Sequence, residues 1–221
     1  MTENMQLAKR QLRKAVQRIL DNVNDETIAK QSRAVTAALL ALPAFRDAKR
    51  ISVFLSMPKH EIQTLDIASA VLQQGRLGCR LIISSLTMST GKFLFVPRIN
   101  ASTMSMVPIS SVSSLTALPR NKWGIPEPTE EDPAEEALST GGLNLIVVPA
   151  VAFDRDMARL GHGKGYYDKY IKACEEKMGR RPLLVGLCLE EQVVEVGKIP
   201  MTDWDERVDM VVLGDGSVMR R

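Results

Sequence analysis

Hydrophobic positions fall into runs of two alternating kinds along this chain. Near the start, Leu12, Val16, Ile19 and Leu20 recur at helical spacing, while Lys9, Arg10, Arg13, Lys14 and Arg18 occupy the other faces. A second helix is predicted to begin at Asn24 or Asp25, either of which can cap free N–H groups, and to stop before Pro43. Its predicted buried stripe is Ala34, Ala38, Leu39 and Leu42. Residues 50–56 (RISVFLS) are short, apolar and β-rich, the composition of a strand buried in a parallel sheet. Helical spacing returns over Thr64–Gln74 through Leu65, Ala68, Val71 and Leu72.

Further on, 81–86 (LIISSL), 93–96 (FLFV) and 104–107 (MSMV) each read as strands. Pro119, Pro126, Pro128 and Pro133 forbid regular structure across 119–133, which reads as an ordered loop or crossover. Residues 143–153 predict one strong buried strand ending at Asp154, followed by a helix from Tyr166 toward Lys177. Strands at 182–189 and 208–213 complete the pattern, the second being the last. Strands alternating with helices predict an α/β fold with a largely parallel sheet. With no internal repeat and no low-complexity linker, one domain spanning 1–221 is expected.

Composition narrows the function classes. A chain of 221 residues, 45% hydrophobic, buries about 70–75% of its unfolded surface and needs no disulfide or metal staple. Lys and Arg number 29 against 26 Asp and Glu, a net charge of +3 that is too balanced for a non-specific nucleic-acid coat. Cys79, Cys174 and Cys188 are widely spaced with no CxxC pair, which favours a reducing compartment and excludes a standard zinc framework. His60 and His162 are the only histidines, too few for a multi-histidine metal centre. The N-terminus lacks a signal-peptide core and no apolar run spans a bilayer, so a cytoplasmic protein without membrane or nucleic-acid partners is expected.

The most informative stretch is 159–170 (RLGHGKGYYDKY), which follows a strand and enters a helix. Gly161, Gly163 and Gly165 let the backbone approach an anion closely, and Arg159 and Lys164 can add charge-assisted bonds to a phosphate. The run is neither a Walker A loop nor the Rossmann fingerprint. Lys9 and Arg13, one turn apart, read either as a solvated helix face or as a shared grip on one polyphosphate. Asp168 reads as a Mg²⁺ ligand or as a first-turn acid favoured by the helix dipole. Glu61, after the first strand, is either an ordinary loop acid or a ligand contact at a strand's carboxyl end. His162 is a loop histidine that could be catalytic or merely hydrogen-bonded, and Trp123 is either a core anchor or a stacking platform.

Taken in order, 9–13 (KRQLR), 51–57 (ISVFLSM) with Glu61 after it, 96–99 (VPRI), 123–128 (WGIPEP), 138–149 (LSTGGLNLIVVP) and 159–168 (RLGHGKGYYD) resemble the 5-formyltetrahydrofolate cyclo-ligases. The resemblance runs from about Lys9 to Val212. It implies a three-layer α/β/α fold, a reaction consuming ATP with Mg²⁺, and a reduced folate as substrate. It further implies cyclisation of 5-formyltetrahydrofolate to 5,10-methenyltetrahydrofolate through a phosphorylated formyl intermediate, with release of ADP and phosphate. By the same resemblance Lys9, Arg10, Gln11, Leu12 and Arg13 bind ATP, as do Arg159, Leu160, Gly161, His162, Gly163, Lys164, Gly165, Tyr166 and Tyr167. Arg13, Leu55, Glu61 and Trp123 face the folate, joined by His162, Gly163, Lys164, Gly165 and Tyr166. Asp168 and Asp205 are the implied Mg²⁺ ligands, and Lys164, Arg159 and Arg13 the groups stabilising the transferring phosphoryl. A monomer is expected. Three departures from the family pattern stand out: Leu77–Gly91 looks like an insertion, one extra residue sits between Ser56 and Glu61, and position 162 is His where relatives carry Arg or Gly.

Overall fold

A computed structural model describes residues 3–77, 91–100, 102–130 and 134–220. The chain begins with helices α1 (Glu3–Leu20), α2 (Asp25–Ala41) and α3 (Pro43–Asp47), then strand β1 (Arg50–Val53) and helix α4 (Leu65–Leu77). Next come β2 (Phe93–Asn100), β3 (Thr103–Ile109), α5 (Val112–Thr116), β4 (Leu145–Val148), β5 (Ala152–Asp154) and β6 (Arg159–Leu160). Helix α6 (Tyr166–Met178), β7 (Leu183–Cys188), β8 (Val193–Val194), β9 (Met210–Leu213) and β10 (Val218–Arg220) follow.

Seven strands form the central sheet in the order β10-β9-β7-β4-β1-β2-β3. The five from β9 to β2 are parallel, and the edge strands β10 and β3 are antiparallel. Period-two alternation sends the strand side chains to two separate cores. Ile51, Val53, Leu94, Val96, Leu145, Val147, Val185 and Leu187 pack with α1, α2 and α4. Phe95, Ile146, Val148, Leu184, Cys188 and Val211 pack with Tyr170, Ile171 and Cys174 of α6. Helices therefore cover both faces, giving the three-layer α/β/α architecture with a mostly parallel sheet. No helix among the described residues is long and apolar enough to cross a membrane.

Several sequence expectations are corrected. The strand expected over 143–154 is two: Pro149, which has no N–H to donate, ends β4, and β5 leaves to join a small sheet with β6 and β8. The strand at 208–213 is not the last, because Gly216 at φ +86° closes a hairpin into β10. Of the stripe predicted for α2, Leu39 and Leu42 are buried, joined by Ile28, Gln31, Ser32 and Val35, whereas Ala34 and Ala38 are only partly buried. Ala34 and Ala38 lie beside Gly216 of the β9–β10 hairpin, and Ala38 also packs against the core. Ile19 is half exposed, because the inner stripe of α1 runs through Lys9, Val16 and Leu20. Pro43 both ends α2 and starts α3, its fixed φ suiting the first helical position. The strand read at 81–86 and most of the Leu77–Gly91 insertion lie outside the described residues, as does Pro133.

Candidate functional site

Strand order fixes where a ligand can enter. From β1 the chain moves to β2 on one side, whereas β4, β7 and β9 build outward on the other. The loops leaving the carboxyl ends of β1 and β4 therefore part, and in open α/β sheets this switch point is the ligand crevice. The loop after β1 carries Leu55 and Glu61. The chain after β4 returns through β5 and β6 to the glycine loop and α6.

The glycine loop is built for close approach. Gly163 and Gly165 have φ of +99° and +68°, a region costly for other residues. A Cβ on Gly163 would lie 3.4 Å from the Arg13 guanidinium, and one on Gly161 would lie 3.1 Å from Arg159 Nη1. Arg159 is buried; its Nη2 donates to Asp168 Oδ1 at 2.7 Å and its Nη1 to the Pro149 carbonyl at 3.3 Å. Its buried Nε has no hydrogen-bond partner among the described residues, a donor left for something else. Lys164 is exposed and makes no hydrogen bond or ion pair among the described residues.

Helix α1 lies across this loop. Arg13 Nε donates to the Gly161 carbonyl at 2.7 Å. The Lys9 ammonium is buried against Asp205, 2.7 Å from Oδ1 and 2.6 Å from Oδ2, and Thr202 donates its N–H and hydroxyl to the same carboxylate. Burial alone would push Asp205 upward, but these hydrogen bonds outweigh it and hold its carboxyl below the usual range. Leu12 is half-buried against the core, while Arg10 and Gln11 point to solvent. Of the amino-terminal residues implied to bind ATP, Lys9, Leu12 and Arg13 are therefore gathered at the crevice and Arg10 and Gln11 are not.

The opposite wall is nearly apolar. Leu55 is buried, and Glu61, only 5% exposed, accepts a hydrogen bond from the Met57 N–H and meets no cation among the described residues. Desolvation pushes its pKa up to about 8, with the Met57 bond opposing, so the carboxyl is mainly neutral at pH 7. Tyr167 lies between the walls, with the Arg159 guanidinium 5.8 Å from its ring centre. Burial raises its phenol well above the ordinary value, Arg159 opposing and Glu61 adding to the effect. His162 is held below its usual pKa by desolvation and then by repulsion from Arg13 and Arg159, which favours the neutral ring.

Trp123 is 54% exposed, with the Lys122 ammonium 4.4 Å from its ring centre, so it is no core anchor. Its neighbour Gly124 leaves only 3.0 Å between a built Cβ and Pro58, which packs this loop against the one carrying Glu61. Asp168 also accepts the Glu206 N–H at 3.2 Å, linking it to the turn that holds Asp205. Trp204, 71% exposed beside Asp205 with Lys172 Nζ 4.1 Å from its ring centre, was not singled out by sequence reasoning. Its only sequence signal is its place next to Asp205. The described residues hold no group of three or more His, Cys, Asp or Glu placed for a metal ion. Asp168 Oδ2 nevertheless accepts no hydrogen bond from the described residues, whereas both oxygens of Asp205 are occupied.

The comparisons with known proteins agree with this geometry. The family model of the 5-formyltetrahydrofolate cyclo-ligases matches residues 5–214. A 5-formyltetrahydrofolate cyclo-ligase of Mus musculus is 37% identical over 210 residues, covering 94% of each chain. A probable cyclo-ligase of Schizosaccharomyces pombe is 33% identical and covers 94% of this chain and 96% of its own. The NMR structure of Aquifex aeolicus 5,10-methenyltetrahydrofolate synthetase superposes with a TM-score of 0.71 at 28% identity, covering 96% of this chain and 92% of that one. With its crevice, its ordered motifs and its relatives in agreement, the chain belongs to the 5-formyltetrahydrofolate cyclo-ligase family and is a ligase enzyme.

Proposed function

We propose that this chain, acting as one domain in the cytoplasm, cyclises 5-formyltetrahydrofolate to 5,10-methenyltetrahydrofolate at the expense of ATP and with Mg²⁺. The observation that carries this reading is the convergence of Lys9 and Arg13 from α1 with Arg159 and Lys164 around a glycine loop, opposite a buried acid. Cations and backbone N–H groups on one wall suit a polyphosphate, and the less polar wall of Leu55, Glu61 and Trp123 suits a flat, partly apolar folate.

A formamide is a poor electrophile, and ring closure must expel its oxygen. Transfer of the ATP γ-phosphoryl to the formyl oxygen turns that oxygen into a phosphate leaving group. The second folate nitrogen then attacks the formyl carbon, the five-membered ring closes, and phosphate departs. The protein's part is positioning and charge stabilisation. Lys164 and Arg159 would face the transferring phosphoryl, the free Nε of Arg159 supplying one donor and Arg13 approaching from α1. His162 through Tyr166 would lie between the two substrates. Bound Mg²⁺ would neutralise phosphate charge, held by Asp168 through its unpartnered Oδ2. Asp205 would join it as Lys9 passes from that carboxylate to phosphate.

The test is a mixture of purified protein, 5-formyltetrahydrofolate, ATP and Mg²⁺, followed by absorbance of the conjugated methenyl bridge with ADP release in parallel. Methenyl formation matched by ADP, and absent without ATP, is the expected result. Folded protein that produces neither would overturn the reading.

A further inference from the structure

We propose that His60 is a positioning residue that hitches the folate-side loop to helix α1, so that each substrate tightens the binding of the other. The inference rests on the placement of the nucleotide against α1 and of the folate against the 54–64 loop proposed above.

Lys9, Arg13, Gln17 and Asp21 follow one another at four-residue spacing and so form a single row along α1 and its final turn. The first member is paired with Asp205 and the second bonds the Gly161 carbonyl. The last two grip His60: Gln17 Nε2 lies 3.1 Å from its Nδ1, and Asp21 Oδ1 lies 3.3 Å from its Nε2. Gln17 Nε2 also donates to Asp21 Oδ1 at 3.0 Å, which closes a three-membered ring of contacts. Gln17 donates into the ring when His60 Nδ1 accepts, and Asp21 adds a close polar contact to Nε2. One row thus touches the nucleotide wall at its first half and the folate wall at its second.

His60 sits in a left-handed turn of this loop. Its φ of +71° is one of only two positive values at non-glycine positions among the described residues. Glycine would meet the backbone requirement without strain, so the turn alone does not call for an imidazole. What the imidazole adds is the tie to α1. The next residue is Glu61, and Gln63 braces the same turn by donating to the Met57 and Glu61 carbonyls at 3.0 Å each. A shift of α1 onto a bound polyphosphate therefore moves His60, and with it the backbone that aims Glu61.

His60 and Asp21 side chains are 30% and 56% exposed, so the mutual tightening should be small, about two- to fivefold. By linkage it has the same size in both directions. The test uses calorimetric titration of a non-hydrolysable ATP analogue with Mg²⁺, with and without 5-formyltetrahydrofolate. In the native protein the folate should tighten the analogue by that factor. His60→Gly, which suits the left-handed turn, should leave each separate affinity unchanged and abolish the tightening. His60→Asn, which tolerates the same φ and keeps a polar side chain, should restore part of it. Asp21→Asn, at an exposed position, should weaken the tightening too, and serves if His60→Gly fails to fold. Undiminished tightening in these variants, or a fall in the separate affinities or melting temperature with the tightening intact, would overturn the hitch. Binding of neither ligand by the native protein would overturn the functional reading, and the hitch with it.

Discussion

Two arginine–aspartate pairs lie at opposite ends of the parallel strands, and only one of them is closed. At the amino ends, Arg181 Nη1 meets both oxygens of Asp209 at 2.9 Å, its Nη2 donates to the Arg207 carbonyl, and its Nε is 3.6 Å from Glu206. Asp209 also accepts the Leu184 N–H, so the pair fastens the start of β7 to the start of β9. At the carboxyl ends, Arg159 and Asp168 make a 2.7 Å bond but leave one buried N–H and one carboxylate oxygen without a partner among the described residues. A recess of about 520 Å³ opens at the Arg181 pair, lined by Arg181, Glu206, Arg207, Val208 and Asp209. Its size does not mark it as the site, because its charged groups already satisfy one another. Unspent hydrogen-bonding capacity distinguishes the end proposed to bind the substrates from the end whose charges are already paired.

Glu61 gives this contrast its largest test, being a buried acid at the carboxyl end with no cation beside it among the described residues. Its folded pKa of about 8 stands above the ordinary 4.5, so between those values the folded protein keeps a proton that the unfolded chain has lost. The associated stability is complete below the unfolded value and is lost as pH rises through about 8, a fall of about 5 kcal/mol. Urea unfolding at pH 5, 7 and 9 should show this fall in the native protein. Glu61→Gln, which resembles the protonated acid, should lack that component. Identical pH slopes in the two proteins would show that Glu61 is ionised in the fold.

Lys164 is the extreme of the open end, a cation with no partner among the described residues. Lys164→Ala should lower turnover by about 10²- to 10³-fold while shifting stability by less than about 0.5 kcal/mol. Single-turnover rates and melting curves on the same sample check both halves. Arg181→Ala should do the reverse at the closed end. Removing a partner from a satisfied, half-buried network should cost about 2 kcal/mol of stability, with KM for both substrates unchanged. A rise in KM for ATP would mean that segment 205–209, whose Glu206 touches both Asp168 and Arg181, transmits the loss to the crevice.

The open end was the more legible in sequence, for a physical reason. Glycines at 161, 163 and 165 and the cations around them are constrained by chemistry, so type and spacing expose them directly. Burial patterns are weaker evidence. Ala34 and Ala38 have helical spacing, yet they are only partly buried and lie beside the Gly216 hairpin, which periodicity alone does not reveal. The run 143–153 is apolar throughout, but Pro149 passes the chain from one sheet to another, a choice made by tertiary pairing. Asp205 and Lys9 are 196 positions apart, and no local pattern announces their 2.6 Å contact. His60 was visible only as one of two histidines, because its role depends on a left-handed turn and a helix reached through the fold.

The two aspartates nearest the glycine loop sharpen the comparison most finely, since one is open and the other occupied. Asp168 has a free oxygen for a cation, and Asp168→Asn should raise the Mg²⁺ concentration needed for half-maximal turnover by about tenfold. Its amide oxygen can still accept from Arg159 and the Glu206 N–H, so the helix start should survive and melting should change little. Asp205, by contrast, is held by Lys9 and Thr202 through both oxygens. Asp205→Asn should therefore loosen the amino end of α1 and weaken ATP binding more than it alters the Mg²⁺ requirement. Titrating Mg²⁺ at saturating ATP, and ATP at saturating Mg²⁺, separates the two effects. If both variants shift only the Mg²⁺ curve, and by the same factor, Asp205 is a metal ligand of equal standing and Lys9 gives way to the ion at little cost. If Asp168→Asn leaves that curve in place, its free oxygen serves only the start of α6, and the open pair at the carboxyl end acts on phosphate through Arg159 alone.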